Sequence, residues 1–450
     1  MKKIFATGLL TAFVFGFIVL PSNAILEKKE VTQEQTILDY INFDLWKKRN
    51  DPYLEKYIAS AIENNYDIKT AALKIEQANH NVALVRSGQM PSLSVGASPV
   101  MAKLPDSTKT MGSFALPIIA SYELDLFGKN IDKTKSSKKL LQSTIYEAQA
   151  SDIAIISMVA TTYYNIVKLD KIINIQEELT KDREKIYNLM KLSNEEGIAS
   201  TSDLILAEKS FVMSQNELID YLKARESALN SLAILIGDSP NNTNEYKRIS
   251  MDELSNEINI PAEINSDVII SRPDYKSLEQ KLESAGLDIK VAKKEFLPTI
   301  NILGLLSFVA TSSAGSMNWE SALGLLGGSA NLPIFTGFKR VASLKLQKNK
   351  YEQLLQQYQK TNLVAIQEVN DSLYNLKADN EKLLNNIKAL NIQEKDYRYS
   401  ELKYEQGVIS KLDLLQQKET LLYMQKLMAS AKADCYVDGI SLYKATGAKI

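Results

Sequence analysis

The chain of 450 residues contains only one cysteine, Cys435, and only one histidine, His80. A single cysteine cannot form a disulfide within the chain. The usual zinc ligand sets and the Ser-His-Asp or Cys-His catalytic constellations therefore have almost nothing to draw on. The sequence also has no Gly-rich phosphate loop and no Gly-x-Ser-x-Gly motif. We expect no enzyme activity, no catalytic residue, no cofactor and no bound metal, and we interpret His80 as a solvated surface residue.

The chain also has no surplus of positive or negative charge. The chain has 53 lysines and arginines against 54 aspartates and glutamates, which gives a formal net charge of −1. A protein that binds nucleic acid needs excess basic charge to neutralise phosphates. The balance therefore argues against a nucleic-acid partner.

Residues 1–24 show the pattern of a secretory signal peptide. Two lysines precede an apolar run over residues 4–20, and Ala24 completes a small-x-small cleavage site. We expect cleavage after Ala24 and then an N-terminal extended segment over residues 25–52, whereas an uncleaved membrane anchor is the alternative. Ile25 follows the cut where a lipoprotein would carry cysteine, so no lipid anchor is expected.

Glycine and proline are absent from two long stretches, residues 129–196 and 338–406. Apolar residues recur there every three or four positions, which is typical of helices with coiled-coil packing. At 1.5 Å per residue, each stretch would form a helix about 100 Å long. No compact globular domain needs a helix of that length.

Each predicted long helix ends in a tight turn that leads into a second helix. Left-handed glycine ends helices, and serine or aspartate caps the start of the next one. The two tips, about 197–203 and 407–413, share these residue types at the same spacing: Gly197, Ser200 and Asp203, and Gly407, Ser410 and Asp413. Each half is therefore expected to form a long antiparallel helical hairpin, preceded by a shorter helix at roughly 53–88 or 272–296.

The whole pattern occurs twice. Asp67 matches Asp274 at an offset of 207 residues, and the two tips match at an offset of 210. Landmarks that keep their order at a nearly constant offset indicate one structural unit built twice. We expect a first repeat over 53–270 and a second over 271–450, with the function in what the two units jointly enclose.

Thirteen of the 29 glycines and prolines lie between the short and the long helices, at about 91–126 and 298–335. Short apolar runs there predict one β-hairpin in each repeat, or four strands in the chain. If these strands lie in a membrane, their edges cannot stay unpaired, yet four strands are too few to close a barrel. Several copies must then pool their strands, and a trimer would supply twelve.

Six features in the expected order resemble the outer-membrane efflux proteins, the TolC/OprM family. They are Trp46 with Asp51-Pro52-Tyr53-Leu54, the segment Ala61-Ile62-Glu63-Asn64-Asn65-Tyr66-Asp67, Arg272-Pro273-Asp274, Leu332-Pro333-Ile334-Phe335-Thr336-Gly337, the two Gly-x-x-Ser-x-x-Asp tips, and the terminal Leu-Tyr-Lys-Ala-Thr-Gly. The resemblance covers about residues 40–448. The segment around Trp46 is similar to the subfamily that serves proton-driven multidrug pumps, although many of its members are lipoproteins.

The resemblance implies a mixed fold, an all-α coiled-coil barrel joined to a transmembrane β-barrel and closed as a homotrimer. It implies a passive conduit of a tripartite efflux or type I secretion system, set in outer-membrane lipid with a long periplasmic extension. Its partners would be a periplasmic adaptor and an inner-membrane pump of the RND or ABC type. The alternatives are a periplasmic coiled-coil adaptor or tether and an enzyme on a helical scaffold, and fractionation would distinguish them.

The resemblance also implies which residues form the periplasmic gate. In relatives, tip aspartates and a tyrosine before the second tip glycine hold the entrance shut, and the matching residues are Asp203, Tyr404 and Asp413. The tip turns, where contact with the adaptor is expected, contain Gly197, Ser200, Gly407 and Ser410. The alternative interpretation is that Asp203 and Asp413 only cap the returning helices.

Overall fold

The computed structural model describes residues 41–42, 51–103, 110–258, 260–261, 263–310 and 322–449. The predicted signal peptide, almost all of the predicted extended segment with Trp46, and the loops between paired strands lie outside the described residues. In the part of the chain that is described, no helix has an apolar stretch long enough to cross a bilayer.

Both halves of the chain contain the same succession of elements, except that the first strand of the first half is split in two. The first half has, in order, α1 (Pro52–Asn64), α2 (Tyr66–Ser87), β1 (Ser92–Val95), β2 (Ser98–Lys103), β3 (Thr110–Leu124), α3 (Lys129–Glu195) and α4 (Thr201–Leu235). After a 3-10 helix at Pro240–Glu245, the second half has α5 (Asp267–Ser271), α6 (Pro273–Lys294), β4 (Thr299–Ala310), β5 (Ala322–Asn331), α7 (Lys339–Glu405) and α8 (Lys411–Ala445).

The long helices α3 and α7 set the length of the molecule. Each has 67 residues, and the returning helices α4 and α8 have 35 each. Both long helices lie in the stretches that lack glycine and proline, so nothing interrupts their backbone hydrogen bonds over about 100 Å. The strands join one end of the long helices, and the tips form the other.

The helices lie side by side in one layer. Near the strands the order is α2–α3–α6–α7, and near the tips it is α4–α3–α8–α7. The long helices therefore pass through both halves of the layer, while the shorter helices pack on one half each. Helix α3 lies inside the layer, whereas α7 forms one of its edges.

The sheet contains five described strands where the sequence predicted four. Strands β1 and β2 both pair with β3, one after the other along its length. Strand β3 pairs in turn with β4, and β4 with β5, and all of these pairs are antiparallel. The break falls at Gly96, whose amide donates to the carbonyl oxygen of Pro117 in β3 at 2.8 Å. Because Pro117 has no N–H to return, the ladder is interrupted there. The sheet is thus four strands wide.

The helix expected at roughly 53–88 is broken at Asn65 into α1 and α2. The side-chain oxygen of Asn65 accepts the amides of Asp67 and Ile68 at 2.8 and 3.1 Å and so caps α2. Its Nδ2 donates to the carbonyl oxygen of Leu235 at 2.8 Å. Asparagine favours such a break because its short side chain competes for backbone hydrogen bonds. The Asn65 side chain therefore connects the boundary between α1 and α2 to the end of α4.

The second repeat makes the same connection between two helix ends with a different side chain. Arg272 occupies the position that matches Asn65, and its Nη1 donates to the carbonyl oxygen of Ala445, at the end of α8, at 2.9 Å. The same guanidinium binds Asp274 at 2.8 and 3.0 Å and Glu368 at 2.7 Å. In both repeats, the start of a short helix is therefore attached to the end of the returning helix.

The main apolar core lies near the middle of α3, where α1, α4, α8 and the connection between the repeats meet. Tyr163 and Tyr164 are fully buried there, and the Tyr163 hydroxyl accepts the amide of Ile249 at 3.0 Å. Lys432 is also buried, and its ammonium donates to the carbonyl oxygen of Met251 at 3.0 Å. Burial lowers the pKa of Lys432. These contacts hold the connection against both hairpins.

Acidic side chains meet at the seam between α7 and α8. Burial, a hydrogen bond with Asp379 and the charges of Asp379 and Asp434 raise the pKa of Asp438 to about 7, against the opposing charge of Lys382. From α3, Lys168 approaches Asp434 at 4.0 Å. The folded protein therefore holds a proton that an aspartate in the unfolded chain releases near pH 3.9.

We expect the stability of the protein to fall as the pH rises from about 4 through 7, because the native state binds this proton and the unfolded state does not. Asp438→Asn should remove that slope and raise stability at pH 8 by about 1 kcal/mol, since partial exposure of Asp438 screens the effect. Apparent melting temperatures between pH 5 and 8 measure it. Asp220→Asn, on the exposed face of α4, is the control; equal slopes for the parent and Asp438→Asn would contradict the prediction.

Candidate functional site

The first tip turns on Gly197. This residue has a φ of +72°, a left-handed conformation that strains any residue with a Cβ. The amides of Ile198 and Ala199 then reach back to the carbonyl oxygen of Ser193 at 2.8 and 3.0 Å. These bonds satisfy the end of α3 in the manner of a Schellman turn, so the chain reverses within a few residues.

The second tip repeats this geometry. Gly407 has a φ of +71°, and the amide of Val408 donates to the carbonyl oxygen of Lys403 at 2.8 Å. Apart from the adjoining residues of the chain, no heavy atom lies within 4 Å of a Cβ built on Gly197 or on Gly407. Backbone conformation, and not crowding, is therefore what makes glycine necessary at the tips.

The serine and the aspartate of each tip bind each other. The Ser200 hydroxyl donates to Asp203 Oδ2 at 2.7 Å and accepts the Asp203 amide at 3.1 Å. Ser410 and Asp413 make the same pair, and the Ser410 amide also donates to Asp413 at 3.0 Å, which completes a capping box. Hydrogen bonds from the hydroxyl and the amide of Ser410 lower the pKa of Asp413, so this carboxylate stays ionised. Within the chain both aspartates cap helices, and their gate role stays a prediction.

Tyr404 lies on the same tip as Asp413, one turn before Gly407. The Lys411 ammonium lies 4.8 Å from the centroid of the Tyr404 ring, within range of a cation–π contact. The Tyr404 hydroxyl has no hydrogen-bond partner among the described residues. The structure does not join Asp203 to Tyr404 or Asp413 by any hydrogen bond or ion pair within the described ranges. Contacts between the two tips would therefore have to come from neighbouring copies.

An ion-pair network that the sequence did not reveal joins the two hairpins a few turns from the tips. Asp182 of α3 is only 1% exposed, and the Lys418 ammonium of α8 lies 2.7 Å from it and 2.6 Å from Glu178. Beside it, Arg183 binds Glu419 at 3.0 Å. The paired residues of α3 and α8 lie more than 230 positions apart in the sequence, so the sequence does not show that they meet. The only local sign of a buried charge is Asp182 itself, three residues after the buried Leu179.

The charges of this network compensate one another. Burial raises the pKa of Asp182, but hydrogen bonds from Lys185 and Lys418 outweigh that effect and leave the pKa below its usual value. Burial lowers the pKa of Lys418, and its bonds with Asp182 and Glu178 reverse the shift. Both groups therefore stay charged. No cluster of His, Cys, Asp and Glu suited to a metal ion occurs in the described part of the chain.

A four-strand-wide sheet, two hairpins of long helices and two glycine tips match the unit that the sequence predicted for an outer-membrane channel. A family model described as Outer membrane efflux protein matches residues 57–238 and 265–448, one segment in each repeat. The chain therefore belongs to the outer membrane efflux protein family, as its sequence features predicted. Members of this family are efflux channels of the outer membrane and not enzymes, so the predicted location is confirmed.

Individual relatives are similar over most of the chain. Toluene efflux pump outer membrane protein TtgC of Pseudomonas putida is 27% identical over 414 residues, which cover 88% of this chain and 83% of the relative. Toxin and drug export protein A of Aggregatibacter actinomycetemcomitans is 24% identical over 432 residues and 91% of each chain. The crystal structure of the CmeC outer membrane channel of Campylobacter jejuni superposes with a TM-score of 0.83 at 24% identity, covering 91% of this chain and 88% of that one.

Proposed function

We propose that the protein is the passive outer-membrane conduit of a tripartite efflux or type I secretion system, formed by three copies of the chain. A periplasmic adaptor would bind at the helical tips and connect the conduit to an inner-membrane pump. The observation that carries this proposal is an apolar stripe on α7 that is left uncovered by the described residues of the chain.

The stripe consists of four large side chains that recur at helical spacing and are between 65% and 72% exposed: Leu363, Tyr374, Ile392 and Tyr399. Their separations of 11, 18 and 7 residues keep them on one face of an α-helix. A row of exposed apolar residues along about 54 Å of helix indicates an interaction surface.

The first repeat indicates what covers this stripe. The matching positions of α3, 210 residues earlier, include Ile153, Tyr164 and Asp182, and all three are buried. Two of them contact α8 of the same chain, because the Tyr164 ring lies 4.8 Å from that of Tyr436 and Lys418 lies 2.7 Å from Asp182. By the symmetry of the repeats, α7 should pack against α4, the counterpart of α8, of a neighbouring copy. Each copy would then add four helical segments to a continuous ring.

The sheet supports the same assembly. Among the described strands, β5 has a neighbour on one side only, and so have β1 and β2. In hydrocarbon, the unpaired N–H and C=O groups of these edges would cost several kcal/mol each. Pairing β5 with β1 and β2 of the next copy removes both edges, and three copies make a barrel of twelve strands. This count and the family resemblance support a trimer.

The tips offer contacts for an adaptor. Ile198 and Val408, each directly after a tip glycine, are 82% and 66% exposed. An exposed apolar residue on a tight turn suits docking to the helical end of another protein. The related proteins are named for the export of toluene or of toxins and drugs. Small toxic compounds are therefore the substrate class that we propose for the conduit.

We expect the detergent-solubilised protein to have three times the mass of the processed chain. Leu363→Lys with Ile392→Lys should reduce that mass to one chain, because two charges would enter the proposed α7–α4 interface. Native mass spectrometry measures the outcome. Leu363→Met with Ile392→Met, which keeps the surface apolar, is the matched control and should stay trimeric. A parent protein that is a monodisperse monomer, or a lysine variant that remains trimeric, would refute the proposed assembly.

A further inference from the structure

Basic residues are concentrated beside the sheet. The helix ends that adjoin the strands, residues 80–90, 129–140, 283–295 and 339–350, contain fourteen lysines and arginines but only four acids, although the whole chain has a net charge of −1. We call these four segments the basic collar. Its local surplus of positive charge is hidden in the overall composition.

The collar opposes the usual placement of charge in helices. Helix N-termini carry partial positive charge and normally attract acidic side chains. The first three turns of α3 contain five basic residues and those of α7 contain four, and the first turn of α7 has no acid. The start of α7 has no side-chain capping bond, whereas at the start of α3 the Asp125 carboxylate accepts the Ile131 amide at 2.9 Å. An external anion would offset this repulsion.

Few of these charges are neutralised within the chain. Three ion pairs occur in the collar: Lys129 with Glu123 at 2.6 Å, Lys139 with Glu283 at 2.5 Å, and Lys294 with Asp132 at 2.6 Å. The other eleven basic residues form no ion pair with any acid that the structure describes. Most of the collar is therefore available to an anionic partner.

A groove between α3 and α6 brings some of these free charges together. It has a volume of about 490 Å³ and is lined by Lys135, Lys138 and Lys290, by Gly286 and Leu287, and by Lys139 and Glu283, which pair with each other. Lys135, Lys138 and Lys290 are all exposed. Three ammonium groups beside a small apolar wall suit a ligand that has both an anionic group and an apolar part.

The groove lies at a depth that lipid headgroups can reach. Lys135 and Lys138 are about 9 and 14 Å along α3 from its first residue, Lys129, which follows the sheet. Side chains of α3 lean towards its N-terminus, which is the sheet end, and lysine stems extend their charge further in that direction. The headgroup layer occupies about 5–7 Å on each side of the hydrocarbon.

We propose that the basic collar binds anionic phospholipid headgroups of the periplasmic leaflet, with the α3–α6 groove as the preferred position. The proposal rests on the proposed function only in that the sheet lies within the membrane. The lipid phosphate contacts Lys135, Lys138 and Lys290, while the neighbouring apolar wall accommodates the glycerol and the start of the acyl chains. This contact sets the depth of the channel in the bilayer.

The test titrates the purified protein, in uncharged detergent, with phosphatidylglycerol or with phosphatidylcholine of the same acyl chains. Native mass spectrometry counts the bound lipids. We expect the parent to prefer phosphatidylglycerol, and Lys135→Gln/Lys138→Gln/Lys290→Gln to lose affinity for it by about tenfold or more, because each lysine near an anionic lipid contributes about fivefold. Binding of phosphatidylcholine should not change.

The control is Lys181→Gln/Lys191→Gln/Lys209→Gln, which removes the same charge far from the sheet and should bind like the parent. Lys345→Gln/Lys348→Gln/Lys350→Gln, on α7, provides a second collar variant if the first does not fold. Equal affinity for the two lipids, unchanged binding by both collar variants, or displacement by an equal concentration of inorganic phosphate would overturn the proposal. The same spectra report the oligomeric mass, so failure of the trimer is seen separately.

Discussion

We expect Gly237→Ala to destabilise the protein by at least about 3 kcal/mol, more than any other single methyl group added at a glycine of the helical hairpins. Gly237 ends α4 with a φ of +74°, and a Cβ there would lie 2.5 Å from the carbonyl oxygen of Asn64. That oxygen belongs to the backbone at the end of α1, and Asn65 holds it in place by its bond to Leu235. The strain of the left-handed conformation therefore adds to a clash that the backbone cannot relieve.

Two other glycines with a positive φ, Gly197 at a tip and Gly447 after α8, provide graded controls for this prediction. Gly197→Ala has almost the same φ but open space around the added methyl, so it should cost only about 1–2 kcal/mol. Gly447→Ala should lie between the two, since its Cβ would approach Arg272 Cα at 3.2 Å. Apparent melting temperatures and the yield of folded protein give the ranking. If Gly237→Ala and Gly197→Ala have the same melting temperature, the contact between Gly237 and the end of α1 is not as tight as described above.

The double variant Asp203→Ala/Tyr404→Ala should increase single-channel conductance severalfold in planar bilayers. In the proposed trimer, Asp203 and Asp413 bring six carboxylates to one narrow opening, where they attract cations and repel one another. Donors such as the free hydroxyl of Tyr404 would offset that repulsion by bonding to a neighbouring copy. Removing both groups deletes those bonds and leaves the packed seams of α3 and α7 intact. The preference for cations should fall as well.

Asp220→Ala/Tyr423→Ala is the matched control for the gate. It removes the same two residue types from exposed positions of α4 and α8, farther from the tips, and should conduct like the parent. Both variants should keep the trimer mass and nearly the same melting temperature. A gate variant with the conductance and ion preference of the parent would mean that Asp203 only caps α4, as its bond to Ser200 shows, and that the gate lies elsewhere.

Some features could be predicted because their causes act within a few residues. Gly407 is needed for one left-handed backbone conformation, and Ser410 and Asp413 bind each other across three positions. Resemblance in several such features at once was enough to predict the outer membrane efflux protein family. The position of Asp203 at a tip could be predicted in the same way, but what it contacts in neighbouring copies could not.

Other features depend on groups that come together only when the chain folds. The break between β1 and β2 depends on Pro117 in the neighbouring strand, and Gly96 by itself does not indicate that it faces a proline. The break at Asn65 could have been suspected from its residue type, but its anchor, Leu235, lies 170 residues away. The basic collar joins four segments that are far apart in sequence, so an overall charge of −1 conceals it.

The sequence by itself determined the duplicated plan, the two uninterrupted helices and the glycine turns, because periodicity, glycine conformation and capping are local properties of the chain. The tertiary structure alone decided the order of the helices in the layer and which of their faces are buried. The stripe of α7 and its counterpart on α3 show the reason. Related helix faces have opposite exposure because α8 lies against α3, and no helix of the described chain lies in the equivalent place against α7.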